Sequence, residues 1–218
     1  MRLAARSLPA VRLGLPFTLA LVLCACSFQR TDPVIPAVYD LGPPRAYTVS
    51  NPGITGTIVL PPVTAPAWLD DSVIVYRLLY EDAARPQTYT MTRWAAEPAA
   101  MLTERLRSRF AAVTPSAITP MDSARSDYTL RVELRDFSQA FEAPGQSRVA
   151  LRARATLLST ADRRLITQRE FEVQRPAAPN ANGAVKALTE AADSFVEELV
   201  KWTVQSVRSP KDATTIAK

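Results

Sequence analysis

The chain has 218 residues, with 26 lysines and arginines against 21 acidic residues, no histidine and two cysteines. Without histidine it lacks the commonest general base and the commonest metal ligand, and its six glycines fall in no phosphate-cradling pattern such as GxGxxG or GxxxxGK. Three of the five excess positive charges are Arg2, Arg6 and Arg12, so the rest of the chain is close to neutral and a nucleic-acid role has no electrostatic footing.

Those three arginines precede an apolar run, Leu13–Leu23 (LGLPFTLALVL). A basic stretch followed by a short apolar core is the pattern of a secretory signal peptide, and this core is shorter than the roughly 20 apolar residues a membrane-spanning helix needs. The run ends at Cys24 and Cys26, the only cysteines. Two residues apart, they cannot readily bring their Cβ atoms to the roughly 3.8 Å of a relaxed disulfide. With no histidine and no further cysteine, they cannot complete a metal shell either. Leu23-Cys24-Ala25-Cys26 resembles the lipobox of bacterial lipoproteins, with small Ala25 directly before Cys26; Cys24 does not fit, because Leu23 stands where a small residue is required. The resemblance implies cleavage after residue 25 and a diacylglyceryl thioether and N-acyl chain on Cys26. Ser27, rather than the aspartate of an inner-membrane retention signal, follows it and favours sorting to the outer membrane. The alternative is an ordinary secretory signal that ends near a cysteine.

Residues 26–56 contain Pro33, Pro36, Pro43, Pro44 and Pro52, a composition that disfavours helix and predicts an extended tether. A coil of this length spans roughly 30 Å end to end. Within it, Val38-Tyr39-Asp40-Leu41 can pair as a strand.

The folded domain is expected over 57–207. Thr57–Val63 is β-rich and cut by Pro61 and Pro62, which suits a strand end or edge. Ser72–Tyr80 and Gln87–Trp94 read as strands joined by a hairpin over Ala83–Pro86. A helix is predicted over Pro98–Val113, with Leu102, Leu106, Phe110 and Val113 on one stripe and Arg105, Arg107 and Arg109 largely elsewhere, on a solvated face in preference to a binding patch. Tyr128 to Phe141 alternates, but Arg135-Asp136 breaks the phase as one inserted bulge residue would. Val149–Leu157 alternates cleanly, with Arg148, Arg152 and Arg154 on the opposite face. After a turn at Thr160–Arg163, Leu165–Val173 carries Gln168, Glu170 and Glu172 on one face. A hairpin would set these across from the arginines, which makes that row structural; Arg169 and Thr167 leave the register of this strand open. The last helix, Gly183–Val207, shows a stripe of Val185, Leu188, Ala192, Phe195, Leu199 and Trp202 with Asn182 as its N-cap. A polar tail, 208–218, closes the chain.

Taken in order, the lipobox, Tyr39-Asp40-Leu41, Ile74-Val75-Tyr76-Arg77, Arg93-Trp94 with Pro98, Leu134-Arg135-Asp136-Phe137 and Lys201-Trp202 resemble the ABC-type transport auxiliary lipoproteins, the family that includes the paraquat-inducible lipoprotein PqiC. The likeness spans residues 26–205. It departs at Trp68, which stands in the place of a tyrosine before the matching Leu69-Asp70, and in a longer Tyr76–Trp94 hairpin. The resemblance implies an α+β fold, a mixed and largely antiparallel sheet of about six strands with two main helices packed on one face. It also implies a periplasmic accessory at the outer membrane, docking the MCE-domain (mammalian cell entry) substrate-binding protein of an ABC transporter that moves lipids between the membranes. Oligomeric rings are known in the family, so a homo-oligomer is in keeping with it. No catalytic, cofactor-binding or metal residue is expected. Two readings of function stand side by side: a docking module that does no chemistry, or a periplasmic lipid carrier with its own apolar pocket between sheet and helices. An envelope hydrolase would need a nucleophile–base pair that the sequence does not offer.

Overall fold

A computed structural model of the chain describes residues 35–45, 54, 56–69, 71–114, 117–122 and 124–208. The chain divides into two units, Met1–Ile35 and Pro36–Lys218, and every described strand and helix belongs to the second. The expected signal segment, Cys26, Ser27 and the tail from 209 lie outside the described residues.

Strict alternation of apolar residues makes the longest strands, because side chains at i and i+2 share one face of a sheet. Among the described residues, eight strands form one mixed sheet: β1 (Ala37–Tyr39), β2 (Ile58–Val59), β3 (Val73–Leu78), β4 (Gln87–Trp94), β5 (Ala117–Ile118), β6 (Tyr128–Ala143), β7 (Gln146–Ser159) and β8 (Leu165–Ala177). The fold is α+β as expected, and most paired residues are antiparallel. Six strands coincide with the predicted ones, β1 takes up the strand allowed within the tether, and two-residue β5 carries no pattern that periodicity can detect.

β6 is the spine. One edge pairs antiparallel with β7 from Tyr128 to Ala143, and β7 pairs antiparallel with β8. The other edge is shared between two parallel partners, β2 at Tyr128–Thr129 and β3 at Ser138–Phe141. Between them the chain leaves the edge where Pro61 and Pro62 lack the N–H that a ladder needs. The Val63 N–H is instead taken by Thr103 Oγ1 at 2.8 Å, and Thr64 alone touches back on Glu133. The excursion includes a short 3-10 helix, Ala67–Leu69, that buries Leu69 before β3 rejoins. The predicted bulge is present as a register shift between Leu134 and Asp136. It lets Phe137 resume the buried side after Leu130, Val132 and Leu134, and it turns Asp136 and Ser138 to the opposite face.

The β6–β7 turn is Pro144-Gly145, with Gly145 at φ 79°. That angle suits the second central position of a type II turn after proline, and it is strained for a residue with a Cβ.

Helices α1 (Pro98–Val113) and α2 (Ala181–Arg208) pack on the side of the sheet formed by Val149, Leu151, Ala153, Ala155 and Leu157, all fully buried. The α2 stripe is buried throughout. Its Phe195 and Trp202 meet Phe171 of β8 edge-on, with centroids 5.5 and 5.7 Å apart, the favoured geometry for aromatic pairs.

Two expectations are corrected. Arg105 and Arg109 are not on a solvated face; both are buried. Arg105 pairs with Asp193 at 3.2 Å and also donates to the carbonyls of Leu41 and Gly42, while Arg109 pairs with Glu197 at 3.0 Å. The reason is register: arginines four apart on α1 meet carboxylates four apart on α2. Arg107, by contrast, stays with its own helix on Glu104. The second correction concerns the cap of α2. Asn180, not Asn182, accepts the Gly183 N–H at 2.8 Å, because the helix starts at Ala181; Asn182 instead accepts from the Tyr39 hydroxyl.

Fully buried Gln139 is satisfied on every side: Tyr89 donates to its Oε1, and its Nε2 donates to Ser147 Oγ and the Ala178 carbonyl. Burial, with Tyr76 beside it, pushes the Tyr89 hydroxyl up to about 12, so it stays a donor throughout the physiological range.

Candidate functional site

The face of the sheet away from the helices carries a ladder of charges. Register sets Arg152 opposite Glu172 and Arg154 opposite Glu170. Arg152 pairs with Glu172 at 3.0 Å and Arg154 with Glu170 at 2.7 Å, while Arg148 donates to Gln174 at 2.9 Å and lies 3.3 Å from Glu142. Gln168 donates to Thr156. The expected cross-strand partners of the arginine row are therefore present. Arg169, whose position left the register open, lies with its guanidinium 4.8 Å from the centre of the Phe171 ring.

The ladder surrounds a trough of about 540 Å³. Its floor is low because β6 and β7 present Ser138, Ala140 and Ala150 there, side chains too short to fill the space between arginines. One wall is β3 with Arg77. The lip is Trp68 from the excursion between β2 and β3, together with Leu79 where β3 ends; both are 37% exposed, and the adjoining Tyr80 is 43% exposed.

Two charges in the trough differ from the ladder. The Arg77 guanidinium lies 5.0 Å from the centre of the Trp68 ring and donates to the carbonyls of Ala83 and Ala84 at 3.2 and 3.4 Å. Among the described residues no carboxylate comes within ion-pair distance of it. Asp136 accepts from Ser138 Oγ at 2.7 Å and likewise has no ion pair among the described residues. Burial pushes its carboxyl above the usual range, against the Ser138 hydrogen bond and the charges of Arg152 and Arg77. Glu172 behaves oppositely: hydrogen bonds from Gln174 and Arg152 hold it low.

A second cleft, about 360 Å³ and mostly apolar, lies between the segment after β1 and α1, lined by Leu41, Pro44, Ala100 and Met101 among others.

The motifs that carry the resemblance mostly serve the core and its joints. Leu41, Ile74, Trp94, Leu134, Phe137 and Trp202 are buried, and Tyr39 bonds to Asn182. Arg93 and Lys201 are exposed, and Arg77, Asp136 and the ion-paired Arg135 line one trough; of these three, Arg77 and Asp136 make no ion pair among the described residues. Periodicity marks neither as functional. A lone arginine in an apolar strand and an aspartate on a bulge are the only signals the sequence offers. Trp68 stands out there only as a departure from the family. Among the described residues no group of His, Cys, Asp or Glu is placed to hold a metal ion, and no described helix is long and apolar enough to cross a membrane.

A curled mixed sheet with two helices on one face and an open, charged opposite face defines the class. Within it, the family described as the ABC-type transport auxiliary lipoprotein component matches residues 39–200, and the chain belongs to that family. A crystal structure of a Xanthomonas campestris protein of family DUF330 shares the fold with a TM-score of 0.67 at 22% identity, covering 79% of this chain and 98% of that one. A crystal structure of an uncharacterized protein gives 0.58 at 16% identity, covering 78% and 99%. No curated protein sequence matches the chain.

Proposed function

We propose that this member of the transport auxiliary lipoproteins is held in the outer membrane by acyl chains on Cys26, with Ser27 directing it there, and faces the periplasm. Its task is to dock the MCE-domain substrate-binding protein of an ABC-type lipid transporter. It does no chemistry itself. The ordered motifs and the family support the transport role. The single observation that carries docking is the exposed lip of Leu79, Tyr80 and Trp68 beside Arg77, on the face that no described helix covers. Tryptophan, tyrosine and arginine are the residues that dominate binding energy at protein interfaces. A lipid carrier would need space between sheet and helices, and that layer is filled by Phe110, Leu134, Leu151 and Phe195, each buried in one cluster. The test is Tyr80→Glu in the full chain: co-capture of an MCE-domain protein, identified by mass spectrometry, should be lost while the melting temperature is retained.

A further inference from the structure

The trough holds two charges that enter no ion pair among the described residues. The other arginines of its walls have partners, Arg152 on Glu172, Arg148 on Glu142 and Arg135 on both Glu133 and Glu170. Among the described residues, Arg77 has only neutral hydrogen-bond acceptors and the Trp68 ring, and Asp136 has only neutral donors as hydrogen-bond partners. This cation and this anion thus make no ion pair among the described residues and feel each other's charge only at longer range, and both lie in a single depression of about 540 Å³, the size class of small-molecule sites.

Taking a charged group out of water costs free energy unless an opposite charge or hydrogen bonds replace the water. Arg77 and Asp136 would both gain from one ligand that carries both signs. Guanidinium forks favour phosphate, and an aspartate with acceptor sites to spare favours a primary ammonium. Beside them, Trp68 and Leu79 offer apolar surface at the rim, where a charged head joined to acyl chains would leave the trough.

We propose that the trough is a binding site for a zwitterion made of a phosphate and a primary ammonium, as in the headgroup of an ethanolamine phospholipid. The phosphate lies against Arg77, with Arg152 and Arg148 near it. The ammonium lies on Asp136 and Ser138, and the first methylenes of the acyl chains lie on Trp68 and Leu79. This rests on the reading of the open face as the working face of a docking module, yet the two claims fail separately, because Tyr80 is not part of the trough.

The experiment uses the full chain in dodecyl maltoside micelles and follows tryptophan fluorescence. Trp94 and Trp202 are buried, at 1% and 8% exposure, which leaves Trp68 as the reporter. Glycerophosphoethanolamine should give a saturable change at a concentration about tenfold lower than glycerol 3-phosphate, which lacks the ammonium. Arg77→Gln and Asp136→Asn should each weaken it about tenfold, since each removes a charge-assisted hydrogen bond. Arg164→Gln, on the distant β7–β8 turn, should not, and circular dichroism should show every variant folded. Dihexanoylphosphatidylethanolamine should bind about tenfold tighter than the bare headgroup if lipid is the source; equal affinity would overturn the lipid assignment in favour of a free headgroup. No saturable change, or equal binding of glycerol 3-phosphate with Asp136→Asn indifferent, overturns the zwitterion site. Tyr80→Glu should keep this binding even where it loses the partner.

Discussion

Arg105 shows how much one side chain can join. It sits between α1, the Asp193 carboxylate on α2 and the carbonyls of Leu41 and Gly42 just after β1, so the entering chain and both helices meet on one guanidinium. Burial pushes Asp193 up and Arg105 pulls it back. Removing the cation leaves a buried carboxylate with only the weaker charge of Arg45 to offset it, and Arg105→Ala is expected to cost about 3–5 kcal/mol in urea unfolding. Asp136 makes the opposite case. Its folded-state pKa is raised above the ordinary 3.8, so the folded chain holds this proton more tightly than the unfolded one. The stabilising contribution is complete below that ordinary value and is lost as pH rises through the raised one. Asp136→Asn removes this loss. Its stability should equal or exceed that of the parent at pH 7 and vary less with pH above 4, as chemical denaturation at several pH values would read. A variant that is weaker at pH 7 would count against this role of Asp136.

Among the elements, the β7–β8 hairpin and α2 carry contrasting expectations. Arg152 and Glu172 are about half exposed, so Arg152→Glu should cost no more than about 1 kcal/mol by thermal melt, the range for exposed cross-strand pairs. Phe195, by contrast, is fully buried against Phe171, and Phe195→Ala should cost about 3–5 kcal/mol, comparable to the whole stability of many domains. These elements are legible in the sequence because long amphipathic runs report burial directly: Pro98–Val113 has the predicted bounds, and the phase break at Arg135-Asp136 is the observed bulge. Position within a helix wheel does not reveal Arg105 and Arg109, since their burial depends on a second helix with matching carboxylates. The matched spacing, Arg105 to Arg109 and Asp193 to Glu197, is readable only once the two helices are known to be neighbours. The trough escapes for a similar reason: Trp68, Arg77 and Asp136 lie on three segments that only the parallel β3–β6 pairing brings together.

At the scale of the whole molecule, an anchor, a tether and a sheet with one face left open make up the proposed docking device. Cys26→Ala should release the protein from the outer membrane in fractionation while its melt is unchanged, because the described core begins well beyond that residue. Retention of the variant in the outer membrane would remove the case for lipidation at Cys26. Docking through the lip beside the trough is the central claim, and Tyr80 gives it the sharpest test. This side chain is 43% exposed, so Tyr80→Glu should shift stability by no more than about 0.5 kcal/mol. The decisive measurement is cross-linking of the full chain in the envelope, with the captured MCE-domain protein quantified by mass spectrometry. Docking at the lip predicts capture by the parent chain and loss of most of it with Tyr80→Glu, at equal protein level and equal melting temperature. Equal capture by both chains, or no MCE-domain protein captured by the parent, would contradict it.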